Sequence, residues 1–594
     1  MRNQSPGERP STYEQIVKAA RGDSQFDLIL RNVNLVNVYT REIYESNIGI
    51  NNQVITYVGE HGNFASRDTF DAKGMYAIPG LIDSHIHIES SMVTPPRFAE
   101  TVLPHGTTTV AIDPHEIGNV LGKPGVRMML DSSEGLPLKV LVLAPTCVPA
   151  VLGADTSGAE FYASDVREML SWDRVIGLAE VMDYPGVINL DSRMTDIVKT
   201  GRELGAVIDG HFMGLNETET NAYAVTGIEA NHEYFPIDME HGNKGDFDLV
   251  LREMRLGLFA KLRKLSLAPG LLELLAKIPS KQNLLFVTDD IMPDDLVRYG
   301  HLDDVVRISI QNGFDPIDAV RCSTLFPAKH LRLFDRGAIA PGKLADIVLL
   351  KELKEFKVGV VIADGKIIAK DGKLVNGLNV RQFPDVSKHT VKLEKVTAEA
   401  FKILIKQESG TIQVRVLTLQ PGFLSTFEVK TARVEDHVVQ AGCATAAVFE
   451  RHGRTKNKSL GFIDRLGLKE GAVASTISHD SHNLIVVGMN ANDMAVAVNA
   501  LIECQGGLAV ANNGKVLAKV ELPVAGLMSE EETETIASKL STFRKAEEQL
   551  GMIDQGSMLA IVTLALPVIS HARITDKGLF DVDRQQFVPL IVGQ

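Results

Sequence analysis

Eight short apolar runs in the middle of the chain limit its possible folds more than any other feature. They read AIPGLIDSHIH, TTTVAIDP, KVLVLAP, VIGLAEV, AVIDGHF, GIEANHE, GLFAKL and LLFVTDD. A strand with one wet face alternates apolar and polar residues. These runs do not alternate, so they read as strands buried on both faces, as in a parallel sheet covered by helices. The intervals hold helix-like patterns, such as GVINLDSRMTDIVKTGRELG and FDLVLREMR. Alternating β and α units predict an α/β fold with a parallel sheet. Eight such units over roughly 250 residues match a (β/α)8 barrel, expected here over residues 81–335.

At 594 residues the chain is too long for one domain. Residues 26–80 read as short strands (FDLILRNVNLVNV, SNIGINNQVITYVG), and the same texture returns over 336–384 with Asp-Gly turns at Asp364-Gly365 and Asp371-Gly372. Two β-rich pieces flanking the barrel predict one β-sandwich built from both sides of it; two separate small sheets are the plainer alternative. Residues 385–594 mix strands such as TIQVRVLTL and NLIVVGM with helices such as DMAVAVNALIEC, and read as a C-terminal α+β domain. Residues 1–25 are a polar N-terminal extension without an apolar signal core. No run is apolar and long enough to cross a membrane. A cytoplasmic protein that binds no membrane is expected. The formal charge of −14 argues against nonspecific nucleic-acid binding. The four cysteines are scattered and form no Cys-x-x-Cys, so any metal must rest on histidine and carboxylate.

Functional groups in such a barrel lie at the C-terminal ends of its strands. The first run ends in His85 and His87, which share a face because side chains alternate along a strand. Glu89 joins that face if the strand continues. The fourth run ends in Glu180, the fifth in His211, the sixth in His232 and the eighth in Asp289. Taken singly, each has a structural reading. Glu180 suits a buried ion pair, Asp289 and Asp290 suit a helix N-cap, and a lone histidine is more often a satisfied core residue. Together, in the order His-x-His, Glu, His, His, Asp, they read as a metal site. Imidazole and carboxylate suit zinc, iron and manganese. Two metals about 3.5–4 Å apart can share a bridging carboxylate and lower the pKa of a bridging water.

This constellation resembles the amidohydrolase superfamily, as does the phrase Pro341-Gly342-Lys343-Leu344-Ala345-Asp346-Ile347-Val348. In that superfamily the fourth strand often supplies a carboxylated lysine; here Glu180 takes the place. Longer strings, HIESSMVTPPRFAETVLPHGTTTVAIDPHEIGNV, GLAEVMDYPGV, LLFVTDD and SHDSHNLIVVG, resemble the bacterial adenine deaminase family over nearly the whole chain. The resemblance implies hydrolysis of adenine to hypoxanthine and ammonia, in adenine catabolism and purine salvage. The nucleophile implied is a hydroxide bridging two divalent metal ions per subunit, manganese or iron, with zinc a further candidate. His85, His87 and Asp289 would hold one metal, His211 and His232 the other, and Glu180 would bridge. Asp289 would take the nucleophile's proton. Glu89 is the favoured proton donor to N1 and the leaving amine, with His115 and Glu116 as alternatives; a partner that orients a ligand histidine is the other reading of Glu89. His479 and His482, in SHDSHN, either close over the barrel mouth and touch substrate or form a capped turn in the third region. Another nucleobase deamination, a cyclic amide hydrolysis and a non-catalytic scaffold are the competing functions. A homodimer is the default assembly.

Overall fold

The computed structural model describes residues 13–60, 65–234, 246–420, 424–552, 557–569 and 571–593. Residues 1–12 of the predicted N-terminal extension lie outside these; Tyr13–Ala20 within it form a helix. Nine strands carry the centre: β1 (Leu81–His87), β2 (Thr107–Ile112), β3 (Lys139–Ala144), β4 (Val175–Val181), β5 (Val207–Gly210), β6 (Ala230–Asn231), β7 (Phe259–Leu262), β8 (Leu284–Phe286) and β9 (Asp289–Asp290). Each predicted run contains a strand, and the eighth run supplies both β8 and β9. Every pairing is parallel, giving a six-stranded sheet β5-β4-β3-β2-β1-β9 and a three-stranded sheet β6-β7-β8. Two links join them. Glu229 N donates to Ile208 O at 2.8 Å between β5 and the segment entering β6, and only Val287 and Thr288 separate β8 from β9. Gly210 permits the close approach at the first link, because a Cβ there would lie 2.2 Å from Ala230 O.

The curled sheet has a layered interior. Ile82, Ala111, Leu143 and Ala179 of β1–β4 meet Ala328 and Leu331 in an apolar floor. Above it lies a buried polar layer. Lys261 on β7 pairs with Asp209 on β5 and donates to Ser84 O at 3.0 Å, while His330 Nε2 lies 3.1 Å from Asp209 Oδ1. A lysine inside a strand interior is tolerable only because its carboxylate partner is buried with it.

The two flanks meet through antiparallel pairing of Ile347–Glu352 with Tyr76–Pro79. The reason is local: Tyr76–Pro79 leads directly into β1, so it offers a free edge beside the chain returning from the centre. The result is one continuous nine-stranded sheet, not two small ones. A second nine-stranded sheet, spanning Gly410–Glu521 and antiparallel except between Gly410–Leu419 and Lys458–Asp464, forms the C-terminal region with helices Ala491–Cys504 and Thr533–Gln549. Its core is continuous with the central one: Met92, Val93 and Phe98 share an apolar cluster with Leu527, Met528 and Leu540. Among the described residues no helix is long and apolar enough to cross a membrane.

Candidate active site

All six predicted ligands converge at the C-terminal ends of the central strands, and all are buried. Glu180, at the end of β4, lies between them. Its Oε1 is 3.4 Å from His87 Nε2, and its Oε2 is 2.7 Å from His211 Nδ1 and 3.1 Å from His232 Nε2. Asp289 Oδ1 is 3.2 Å from His87 Nε2 and 3.4 Å from His85 Nε2. The His85 and His232 rings stack at 4.1 Å. Asp289 adopts φ 57°, in the left-handed region that aspartate tolerates better than most residues. Neither Asp289 nor Asp290 caps the following helix, whose N-cap is Met292.

The donor set fits a metal centre. Both ring nitrogens of His85 are buried without a hydrogen-bond partner among the described residues. His211 Nδ1 and His232 Nε2 lie 3.2 Å apart against one carboxylate oxygen. Nitrogen lone pairs converging this closely, out of water, are the arrangement a cation satisfies. The tautomer of His87 agrees. Its Nδ1 lies 3.0 Å from the backbone carbonyl of Asp113, which can only accept, so Nδ1 carries the proton and Nε2 is left as the ligand atom. These imidazole and carboxylate donors suit zinc, iron or manganese.

Electrostatics reinforce the pairing. Burial opposes ionisation of Glu180, yet His211 and His232 hold its carboxyl well below the usual carboxylate range. Burial is likewise outweighed at Asp289 by Arg263, His85 and His87, which keep it well below. Burial pulls His85 down, but Asp209 and Asp289 raise it to about 9. His232 is pushed down by burial and by His85 beside it.

The predicted proton carriers line one wall. The strand does not continue through Glu89 as the alternation required. It stops at His87 and becomes a 3-10 turn, Ile88–Ser91, because Ser91 Oγ donates to Ile88 O at 2.6 Å and Met92 closes the turn at φ 58°. Glu89 therefore reaches the wall from a turn, and its Oε1 accepts from Ile117 N at 3.3 Å. Burial and the nearby Glu116 push Glu89 up to about 8. His115 and Glu116 open the helix His115–Leu121. His115 Nδ1 is 3.2 Å from Asp113 and its Nε2 is 3.5 Å from Asp480 of the C-terminal region. Burial works against its charge, but Asp113 and Asp480 hold His115 well above the usual histidine value. The loop carrying His479 and His482 thus reaches this wall, with His482 buried and its Nε2 3.7 Å from Glu116 Oε2.

Sequence reasoning missed several participants. Arg263, one residue beyond β7, pairs with Asp289 Oδ2 and, at 2.8 Å, with Glu233. The strand-end rule would have found both Arg263 and Glu233, which follows His232. Ser90 joins Glu116 Oε1 at 2.8 Å to Asp290 Oδ1 at 2.5 Å; no periodic signal marks it.

Comparison with known proteins matches the amidohydrolase family over residues 76–368 and the adenine deaminase C-terminal domain over residues 424–586. The chain is 38% identical to an adenine deaminase of Kosmotoga olearia, covering 98% of this chain and 99% of that one. It is 37% identical to one of Moorella thermoacetica, covering 99% and 100%. A solved structure of an adenine deaminase is 18% identical with a TM-score of 0.44, covering 58% of this chain and 99% of that one. The chain belongs to the adenine deaminase family of amidohydrolases.

Proposed function

We propose that this protein hydrolyses adenine to hypoxanthine and ammonia at a two-metal centre. The observation that carries the reading is the buried cluster of His85, His87, Glu180, His211, His232 and Asp289, in a chain related over nearly its full length to adenine deaminases. His85, His87 and Asp289 would hold one divalent ion, His211 and His232 the other, with Glu180 between them; manganese, iron and zinc all suit these donors. Two such ions, when bound, lower the pKa of water and stabilise negative charge developing on the substrate.

The chain's own residues do the rest. Water adds to C6 of adenine and Asp289 takes its proton, with Arg263 holding the other carboxylate oxygen. The tetrahedral adduct must then lose ammonia, which requires protons on N1 and on the amine. Glu89, on the wall beside His87, is assigned the proton to N1 and regains one from the C6 hydroxyl as the carbonyl forms, while Asp289 passes its proton to the leaving amine; His115 and Glu116 are the alternatives to Glu89 on the same wall. The near-complete burial of the cluster excludes bulk water.

The same reading extends to the architecture. The β5–β6 hydrogen bond and the continuity of β8 with β9 support a closed (β/α)8 barrel over 81–335. One apolar cluster unites Leu28, Leu30, Ile48 and Ile50 with Ile347, Leu349 and Ile362, which supports a sandwich from 26–80 and 336–384. Residues 385–594 form the C-terminal domain and 1–25 the extension. A cytoplasmic homodimer acting on a small molecule, without nucleic acid or membrane, completes the proposal.

The test is ammonia release from purified, manganese-loaded protein offered adenine, adenosine, guanine and cytosine, with metals counted. Adenine-specific release that a chelator stops and added metal restores is the expected result. Release from another base alone would overturn the substrate, and full activity after chelation would overturn the metal centre.

A further inference from the structure

Two buried polar atoms beside the metal cluster face each other without a hydrogen-bond partner among the described residues: Glu116 Oε2 and His482 Nε2, 3.7 Å apart. Both side chains are sealed from solvent, at 1% and 0% exposure, and both are pinned at the opposite atom. Glu116 Oε1 lies 2.8 Å from Ser90 Oγ, whose single proton it shares with Asp290 Oδ1 at 2.5 Å. His482 Nδ1 lies 3.3 Å from Ser478 N. A backbone N–H can only donate, so Nδ1 is the acceptor and the neutral ring carries its proton on Nε2. The free tip of His482 is therefore a donor, and that of Glu116, in its carboxylate form, is an acceptor beside it.

Their placement is held from both halves of the chain. Glu116 comes from the helix that follows β2. His482 comes from the C-terminal region, where the buried Arg451 donates from Nε to His482 O, from Nη1 to Thr390 Oγ1 at 3.0 Å and from Nη2 to Ala525 O at 2.9 Å. A guanidinium committed to three anchors leaves the loop little freedom, so the donor is preorganised.

Buried polar atoms of native proteins are satisfied by something. A ligand that satisfies this pair must carry an acceptor and a donor at neighbouring positions. Adenine has such an edge remote from its reacting atoms. N1 and the amine belong to the reaction at C6, whereas N3 accepts and N9–H donates across the ring system, with one carbon between them.

We propose that Glu116 and His482 read the N3/N9 edge of the substrate. Glu116 Oε2 accepts from N9–H and His482 Nε2–H donates to N3. The site thereby takes free purine bases and rejects bases substituted at N9, nucleosides among them. This assignment rests on the adenine reading and deepens it, and it gives Glu116 a binding role and leaves the N1 proton to Glu89. A site built to pair a substrate N–H strongly rejects analogues that lack it, because its own buried groups are then left unpaired.

The experiment uses the full-length, metal-loaded protein. Calorimetry compares hypoxanthine, which keeps the same N3/N9–H edge, with 9-methylhypoxanthine. Steady-state kinetics compare adenine with 3-deazaadenine, in which a C–H replaces N3. Wild type is expected to bind the methylated base at least about a hundredfold more weakly and to prefer adenine to 3-deazaadenine at least about tenfold. His482→Phe is expected to weaken hypoxanthine about tenfold or more and to abolish the adenine preference, while His482→Gln, whose amide N–H can replace the donor, recovers part of both. The wild-type comparison of the two hypoxanthines needs no variant and stands whether or not His482→Phe folds. Equal binding of the two hypoxanthines, or an unchanged adenine preference in folded His482→Phe, overturns the edge assignment alone. No ammonia from adenine in the wild type overturns the adenine reading and this assignment with it.

Discussion

Asp289 shows how much one residue carries. Its Oδ1 faces His85 and His87, its Oδ2 faces Arg263, and its backbone lies at φ 57°. Asparagine has the same shape and also tolerates the left-handed region, so Asp289→Asn leaves the fold intact while removing the proton acceptor. Turnover should fall by about 10²–10⁴-fold, the usual worth of a positioned base. Metal analysis of the same sample should still find two ions per subunit. Near-normal kcat in a metal-replete variant would remove Asp289 from proton transfer. At this scale the sequence was informative wherever a ligand ended a strand. Glu89 departed from the alternation because a serine hydroxyl and a left-handed methionine turn the chain after His87. Such a turn depends on hydrogen bonds that periodicity does not encode.

At the scale of elements, the helix Thr533–Gln549 offers a test independent of the active site. Glu547 on its buried face is 3% exposed, and burial pushes its carboxyl up to about 8 despite the neighbouring Arg544. A carboxyl whose folded pKa lies above its unfolded value, here about 4.5, favours the folded state while protonated. That stability is fully present below pH about 4.5 and is lost as pH rises through about 8. Glu547→Gln keeps the shape without the titration. Its melting temperature should exceed wild type at pH 9 and converge with it toward pH 4. Parallel melting curves for the two proteins across that range would show that Glu547 does not titrate anomalously. The strands themselves were legible in the chain, since eight non-alternating runs needed burial on both faces. The two-residue β6 is at the limit of that signal, held by its neighbours more than by its own composition.

The whole molecule behaves as one packed unit around the site. Thr94 N donates to Ser529 O at 3.1 Å, Ser529 N donates to Met92 O at 2.8 Å, and the core beneath them is shared between the central and C-terminal regions. Removing residues 385–594 would expose Met92, Val93 and Phe98 to water, a patch of the kind soluble proteins rarely leave open. The truncated chain should bind a hydrophobic dye strongly and lack a cooperative melt. A soluble, cooperatively melting fragment would show that the shared core is dispensable. The sequence by itself determined which segments are strands and which residues end them, because burial pattern and strand polarity are written locally. It also determined the chemistry of the donor set, since the six predicted ligands are all imidazoles and carboxylates. Only the tertiary structure decided which atoms meet. Asp480 reaches His115, His482 faces Glu116, and Arg263 grips Asp289 through packing between segments far apart in the chain. Those contacts follow from how two apolar surfaces dock, and no periodicity within either segment specifies the other.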